Sequence, residues 1–232
     1  MVGQQILEQL RIEFSKQEND TIAKEQQAYM KSKMPFWGLK TPQRKKIYLA
    51  IFRQFPPQNN SDYRDTIKYI FNNATHRDEW YAGFSYAIRF KKYITEGNVD
   101  LYIALVRQTQ WWDLVDGIAT NLVGPALLDS NKLFNNLNSW IVDKNKWVRR
   151  TAILTQLKYK DKLDFKLLSS LIEKTWHEKE FFIRKAIGWA LRQHSYTKPN
   201  DIIEFITNNK LHLSNLSKTE GLKALKRKGI VE

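Results

Sequence analysis

Apolar residues recur at offsets of three and four along nearly the whole chain, the spacing of one face of an α-helix. Over residues 4–17 the stripe is Ile6, Leu7, Leu10 and Phe14. Asn19-Asp20-Thr21 reads as a helix start, and the pattern then runs to about Lys33. Met34 to Lys40 breaks it. Thr41-Pro42 predicts a third helix over 42–54, with Thr41 as cap and Pro42 at the first helical position, where its missing N–H costs nothing. Pro56-Pro57 stops that helix. Ser61-Asp62 starts another, through Asn73, with Tyr63, Ile67, Ile70 and Phe71 as its apolar side. Between Asp78 and Ile94 the residues Trp80, Tyr81, Phe84, Ala87, Ile88 and Phe90 read as packing between helices. A helix from Val99 to about Gln108 precedes a tryptophan-rich stretch, and Gly124-Pro125 is expected to break the chain. Further helices are expected at about 131–142, 146–159, 164–175, 179–194, 199–209 and 217–228. No stretch alternates with the period of a strand.

The pattern predicts an all-α chain of roughly thirteen helices, paired about every 35 to 45 residues. Such spacing suits an α-solenoid of stacked antiparallel helix pairs, in the manner of HEAT-like repeats, whose concave side holds an extended ligand. No linker interrupts it, so residues 1–232 are expected to form a single domain.

Charge narrows the ligand. Lys plus Arg number 38 against 24 Asp plus Glu, a net charge of +14. A helical surface of that balance attracts polyanions, and the eight Trp, ten Tyr and twelve Phe favour nucleic acid over lipid headgroups. No run approaches the ~18 apolar residues of a membrane span. No basic-then-apolar leader opens the chain. A cytoplasmic protein, nucleoid-associated when on DNA, is expected. With no cysteine and four scattered histidines, no metal site and no cofactor are expected.

Three stretches carry chemistry. Gln110-Trp111-Trp112-Asp113-Leu114-Val115-Asp116 sets two indoles and two carboxylates within seven residues. On a helix Trp112 and Asp116 share a face. An indole face and a carboxylate both favour a cation placed between them. Either Asp113 or Asp116 could be the buried acid; alignment with Trp112 favours Asp116, leaving Asp113 to cap the helix. Over 179–194, Phe182, Ile183, Ala186 and Ala190 mark a packed side, while Lys185, Gly188, Trp189 and Arg192 fall on a neighbouring face. That face suits a phosphate backbone, with Gly188 permitting close approach and Arg192 clamping a phosphate. Over 146–160, Trp147, Arg149, Arg150, Lys158 and Lys160 surround an apolar side, an array whose default reading is a solvated charged face.

These stretches resemble the DNA alkylation repair glycosylases of the AlkD type, which are built from HEAT-like repeats. The resemblance rests on Trp111 to Asp116, on Trp147-Val148-Arg149-Arg150-Thr151-Ala152-Ile153-Leu154 with Leu157-Lys158-Tyr159-Lys160, and on Lys179 to Arg192. Ala28-Tyr29-Met30-Lys31 and Gly38-Leu39-Lys40-Thr41-Pro42-Gln43-Arg44 add to it. The resemblance implies excision of cationic N3- or N7-alkylated purines from double-stranded DNA; because no lysine stands out as a Schiff-base nucleophile beside the Asp, a monofunctional glycosylase is expected, as is a monomer. It implies Asp116 as the catalytic carboxylate, Trp112 and Trp189 as aromatic partners flanking the lesion or its sugar, and Tyr29 as a further aromatic. It implies backbone-binding roles for Arg150, Lys158 and Arg192, to which the helix pattern adds Lys185. The segment 56–76 and the tail after Asn209 match nothing in it, and the basic end Lys223 to Lys228 reads as a solvated helix face. Two other classes fit the charge alone: a non-catalytic helical-repeat module for bent or branched DNA, and a scaffold for an acidic protein. Neither explains the joint presence of Trp112, Asp116, Trp189, Arg150 and Arg192.

Overall fold

The computed structural model describes residues 1–232, all helices and connections with no strand. Its contacts divide into two compact units, Met1–Ile94 and Thr95–Glu232.

The first unit holds α1 (Val2–Ser15), α2 (Asp20–Met30), α3 (Thr41–Gln54), α4 (Asn60–Asn73) and α5 (Arg77–Arg89). The predicted stripes are its core: Ile6, Leu10, Phe14, Tyr63, Ile67 and Ile70 are all fully buried. On α5 the deepest face is instead Ala82, Tyr86 and Ala87, with Gly83 tight against Phe71, so most of the predicted aromatics there flank the contact. Asn19 caps α2 by accepting the Ile22 N–H. The cap of α3 lies one residue earlier than expected, at Lys40, whose N–H is taken by the Gln43 side chain. Asp78 and Glu79 are fully buried and meet Arg44 and Arg11 at 2.9 and 3.0 Å.

The second unit holds α6 (Val99–Thr109), α7 (Trp112–Ile118), α8 (Gly124–Leu127), α9 (Leu133–Trp140), α10 (Lys146–Leu154), α11 (Phe165–Thr175), α12 (Phe181–His194), α13 (Pro199–Asn208) and α14 (Asn215–Arg227). Alternate helices stack side by side. Asp116 meets Arg150 and Gly124 meets Thr155, so α7 with α8 runs parallel to α10. Arg150 meets Phe182, Arg184 meets Ser217 and Leu191 meets Gly221, which places α12 and then α14 parallel in the same row. A second row, α9, α11 and α13, is linked by Lys174 to Asn138 and Phe165 to Phe205. Two stacked rows of helices are the expected solenoid arrangement.

Gly124-Pro125 does not break the helix. Residues Ala119–Val123 form a π-turn in which the Gly124 N–H reaches back to the Ala119 carbonyl, and α8 follows directly. Proline cannot donate to the ladder, and the widened turn absorbs the mismatch while the chain stays helical.

Gly188 also departs from expectation. A Cβ built there would sit 2.5 Å from the Glu220 Cβ and 3.0 Å from the Ser217 carbonyl oxygen, so its bare face admits α14 rather than DNA. Gly188→Ala is therefore expected to force α12 and α14 apart and to cost about 1–3 kcal/mol, the range for overpacking a filled contact. Urea unfolding measures it, and an unchanged midpoint would refute the close packing.

Candidate functional site

Asp116, on α7, joins the first two helices of the parallel row. Its Oδ1 accepts from Arg150 Nε at 2.7 Å and its Oδ2 from Arg150 Nη2 at 2.8 Å, a two-pronged pair. Arg150 Nη1 donates to the Phe182 carbonyl, at the start of α12. The Arg150 side chain is 4% exposed and that of Asp116 16%, so Arg150 is enclosed and the carboxylate alone keeps an opening. Arg150 thus differs from the solvent-facing phosphate contact expected for it: its fork is spent on Asp116 and the backbone of α12. Burial pushes the Asp116 carboxyl above its ordinary range, Arg150 pulls it back, and Asp113 adds a smaller upward push. Asp113 does not cap α7, whose cap is Trp111; it sits inside the first turn, where its side chain accepts the Leu114 N–H at 2.9 Å.

The two tryptophans part company. Trp111 packs against Trp147 at 5.8 Å and edge-on against Phe182 at 5.4 Å, and Trp147 meets Phe182 at 4.8 Å. This aromatic cluster fastens α7, α10 and α12 together beside the Asp116–Arg150 pair. Trp112 is half-buried, one helical turn before Asp116. Trp189 is half-buried on α12, seven residues after Phe182, which places it about 10 Å further along the same helical face.

The expected cations sit differently. Lys185 Nζ and Arg192 Nη1 both reach Glu220 on α14, at 2.6 and 2.7 Å. These cations hold the Glu220 carboxyl below its ordinary range, Lys185 most of all. Glu220 lies in the tail that carries no motif, and nothing in the sequence marks it. Lys158 is exposed and donates to Asn121 Oδ1 at 2.6 Å, an asparagine projected by the π-turn. Tyr29, 75% exposed at the end of α2, is the one expected site residue in the first unit. The second unit therefore brings Trp112, Asp116, Arg150, Lys158, Lys185, Trp189 and Arg192 onto one row of helices. No helix is long and apolar enough to cross a membrane.

Comparison with known proteins points the same way. The profile of a family described as DNA alkylation repair enzyme matches residues 10–225. The chain superposes on the solved structure of a predicted DNA alkylation repair enzyme from Enterococcus faecalis, with a TM-score of 0.82 and 30% sequence identity. That match covers 90% of this chain and 96% of the other. Among curated proteins no significant match is found.

Proposed function

This chain belongs to the DNA alkylation repair enzyme family, and we propose that within it the protein is a monofunctional glycosylase hydrolysing the N-glycosidic bond of cationic N3- or N7-alkylated purines in duplex DNA. The observation that carries this reading is a partly open carboxylate, Asp116, fixed by a buried guanidinium one turn from a half-exposed indole, in a chain of charge +14. The family match spans both units and supports their acting as one functional domain, as a monomer on DNA.

The chemistry follows from the substrate's charge. An alkylated purine that already bears a positive charge leaves as a neutral base, taking the electron pair of the C1′–N bond, so no general acid is required. Positive charge moves onto the deoxyribose, and the transition state resembles the oxocarbenium ion of glycoside hydrolysis. Asp116 stabilises that charge and orients the water that adds at C1′, accepting its proton or passing it to solvent. Because Arg150 fixes both oxygens, the carboxylate needs little reorganisation as charge develops. Trp112 and Trp189 each stabilise a cation by roughly 0.5 to 2 kcal/mol where water is excluded, which favours cationic lesions over neutral bases. The decisive experiment incubates the wild-type protein with methylated duplex DNA. Free methylated purine should appear, abasic sites should remain uncut, and borohydride should trap no covalent adduct. A trapped adduct would exclude the monofunctional mechanism.

One observation favours the second reading, a non-catalytic DNA-binding module: both oxygens of Asp116 are engaged, as in a purely structural ion pair. Salt-sensitive DNA binding without purine release would establish it.

In either reading Glu220 competes with DNA for Lys185 and Arg192. Glu220→Gln is expected to tighten binding of undamaged duplex by roughly 3- to 10-fold at low salt. The dependence of log affinity on log salt should steepen by up to about two counterions' worth, since each freed cation displaces one on reaching phosphate. Weaker binding by the variant would show that Glu220 presents the cations instead of restraining them.

A further inference from the structure

The C-terminal half of α12 and the basic end of α14 enclose an open cavity of about 540 Å³, lined chiefly by Trp189, Arg192, Tyr196, Lys223 and Arg227. This gives a place to the basic tail that the sequence left unassigned. No carboxylate lines it. The nearest, Glu220, lies one turn before Lys223 and is engaged with Lys185 and Arg192. Lys223 and Arg227 are four apart on α14 and face the cavity together. On the opposite wall Trp189 lies on α12 and Tyr196 in the turn just past its last residue, His194. Tyr196 is 44% exposed, and the Lys228 ammonium already lies 5.5 Å from the centre of its ring.

No lining acid offsets Lys223 and Arg227, while Arg192 is paired with Glu220; this balance disfavours a cationic purine, so the lesion is not seated among them. These cations attract a phosphodiester, and the exposed Tyr196 ring offers a π-face to a base without demanding its identity. Resting on the reading of the chain as a DNA-binding protein, we propose that this cavity seats one unpaired nucleotide of ordinary, uncharged base in the bound DNA. Its phosphate lies on Arg192, Lys223 and Arg227, and its base stacks against Tyr196, while Trp189 is left to the lesion. An unpaired nucleotide fits better than a paired one because stacking on a side chain requires a base face that the duplex does not already cover.

The test compares two duplexes identical except for a single-nucleotide bulge, by fluorescence anisotropy at one fixed salt concentration. Wild type should bind the bulged duplex at least about 5-fold more tightly, in line with the worth of one stacked base. In Tyr196→Ala the preference should fall below about 2-fold while affinity for the perfect duplex is kept. In Arg227→Gln affinity for the bulged duplex should fall further than for the perfect one. Thermal melting of both variants checks that they fold, which the exposure of Tyr196 favours. No preference in wild type, or one that survives Tyr196→Ala, overturns the proposal. Equal losses on both duplexes in Arg227→Gln also overturn it, reducing the cavity to a general phosphate contact. Purine release measured on the same wild-type preparation reads the glycosylase assignment separately, since bulge preference requires no catalysis.

Discussion

Asp116→Asn is expected to lower the rate of methylated-purine release by at least ~100-fold, a loss of about 2.7 kcal/mol of transition-state stabilisation. The asparagine preserves shape, and its Oδ1 can still accept one N–H of Arg150. It cannot offset positive charge on the sugar. Single-turnover kinetics with enzyme in excess separates this loss from binding, and affinity for undamaged duplex should hold within a few-fold. The pH dependence supplies an independent check. Asp116 must be ionised to act, and burial raises its carboxyl above the ordinary aspartate range. The wild-type value of kcat/KM should therefore fall with acid through a pKa above the usual aspartate value of roughly 3.9, and Asp116→Asn should lack that limb. The same shift bears on folding with the opposite sign. Between the ordinary and the raised pKa the folded state binds more proton than the unfolded, so stability is lost as pH rises through that window. At neutral pH the ionised carboxylate is held at some cost to stability, as a group kept for chemistry would be. Release by Asp116→Asn within 10-fold of wild type would remove Asp116 from the mechanism.

What the sequence could and could not disclose divides along a physical line. Helix periodicity depends on which residues of one segment face inward, and it located almost every helix, the α1 and α4 stripes among them. It carries no information on which neighbour a polar side chain meets. The resemblance implies a phosphate contact for Arg150, and nothing local in the sequence shows that its fork turns to Asp116 34 residues away. Gly188 looked like an approach for DNA because it lies beside cations, and it receives α14 instead. Glu220 was invisible because its importance comes from the crossing of α12 and α14, which no local pattern records. Trp111 and Trp112 show the reverse case. Adjacent helical residues point about 100° apart, so one joins the aromatic cluster while the other remains half-exposed near Asp116.

The pairing of Asp116 with Arg150 leads to the second large expected effect. Arg150→Met removes a buried guanidinium and leaves a largely enclosed carboxylate without its partner, which should cost about 3–5 kcal/mol of folding stability. The methionine fills comparable volume with a flexible apolar chain, so the loss reports the missing charge and hydrogen bonds more than a cavity. The Phe182 carbonyl loses its donor as well, loosening the start of the helix that carries Trp189. Without the opposing guanidinium, burial should carry the Asp116 carboxyl higher still, and the acid limb of kcat/KM should move toward neutral pH. Arg150→Lys should recover only part of this, because an ammonium cannot reach both carboxylate oxygens and the carbonyl with one planar fork. In a double-mutant cycle, Arg150→Met in the Asp116→Asn background should cost less than in wild type by about 0.5–3 kcal/mol, since no buried carboxylate is left uncompensated. An exposed phosphate-binding arginine gives a different set of results: an unchanged urea midpoint, weaker binding to all duplexes and a shallower salt dependence by about one counterion. Arg150 is expected to act through Asp116 as a positioning residue, and the movement of the acid limb is the result that a purely structural ion pair would not produce.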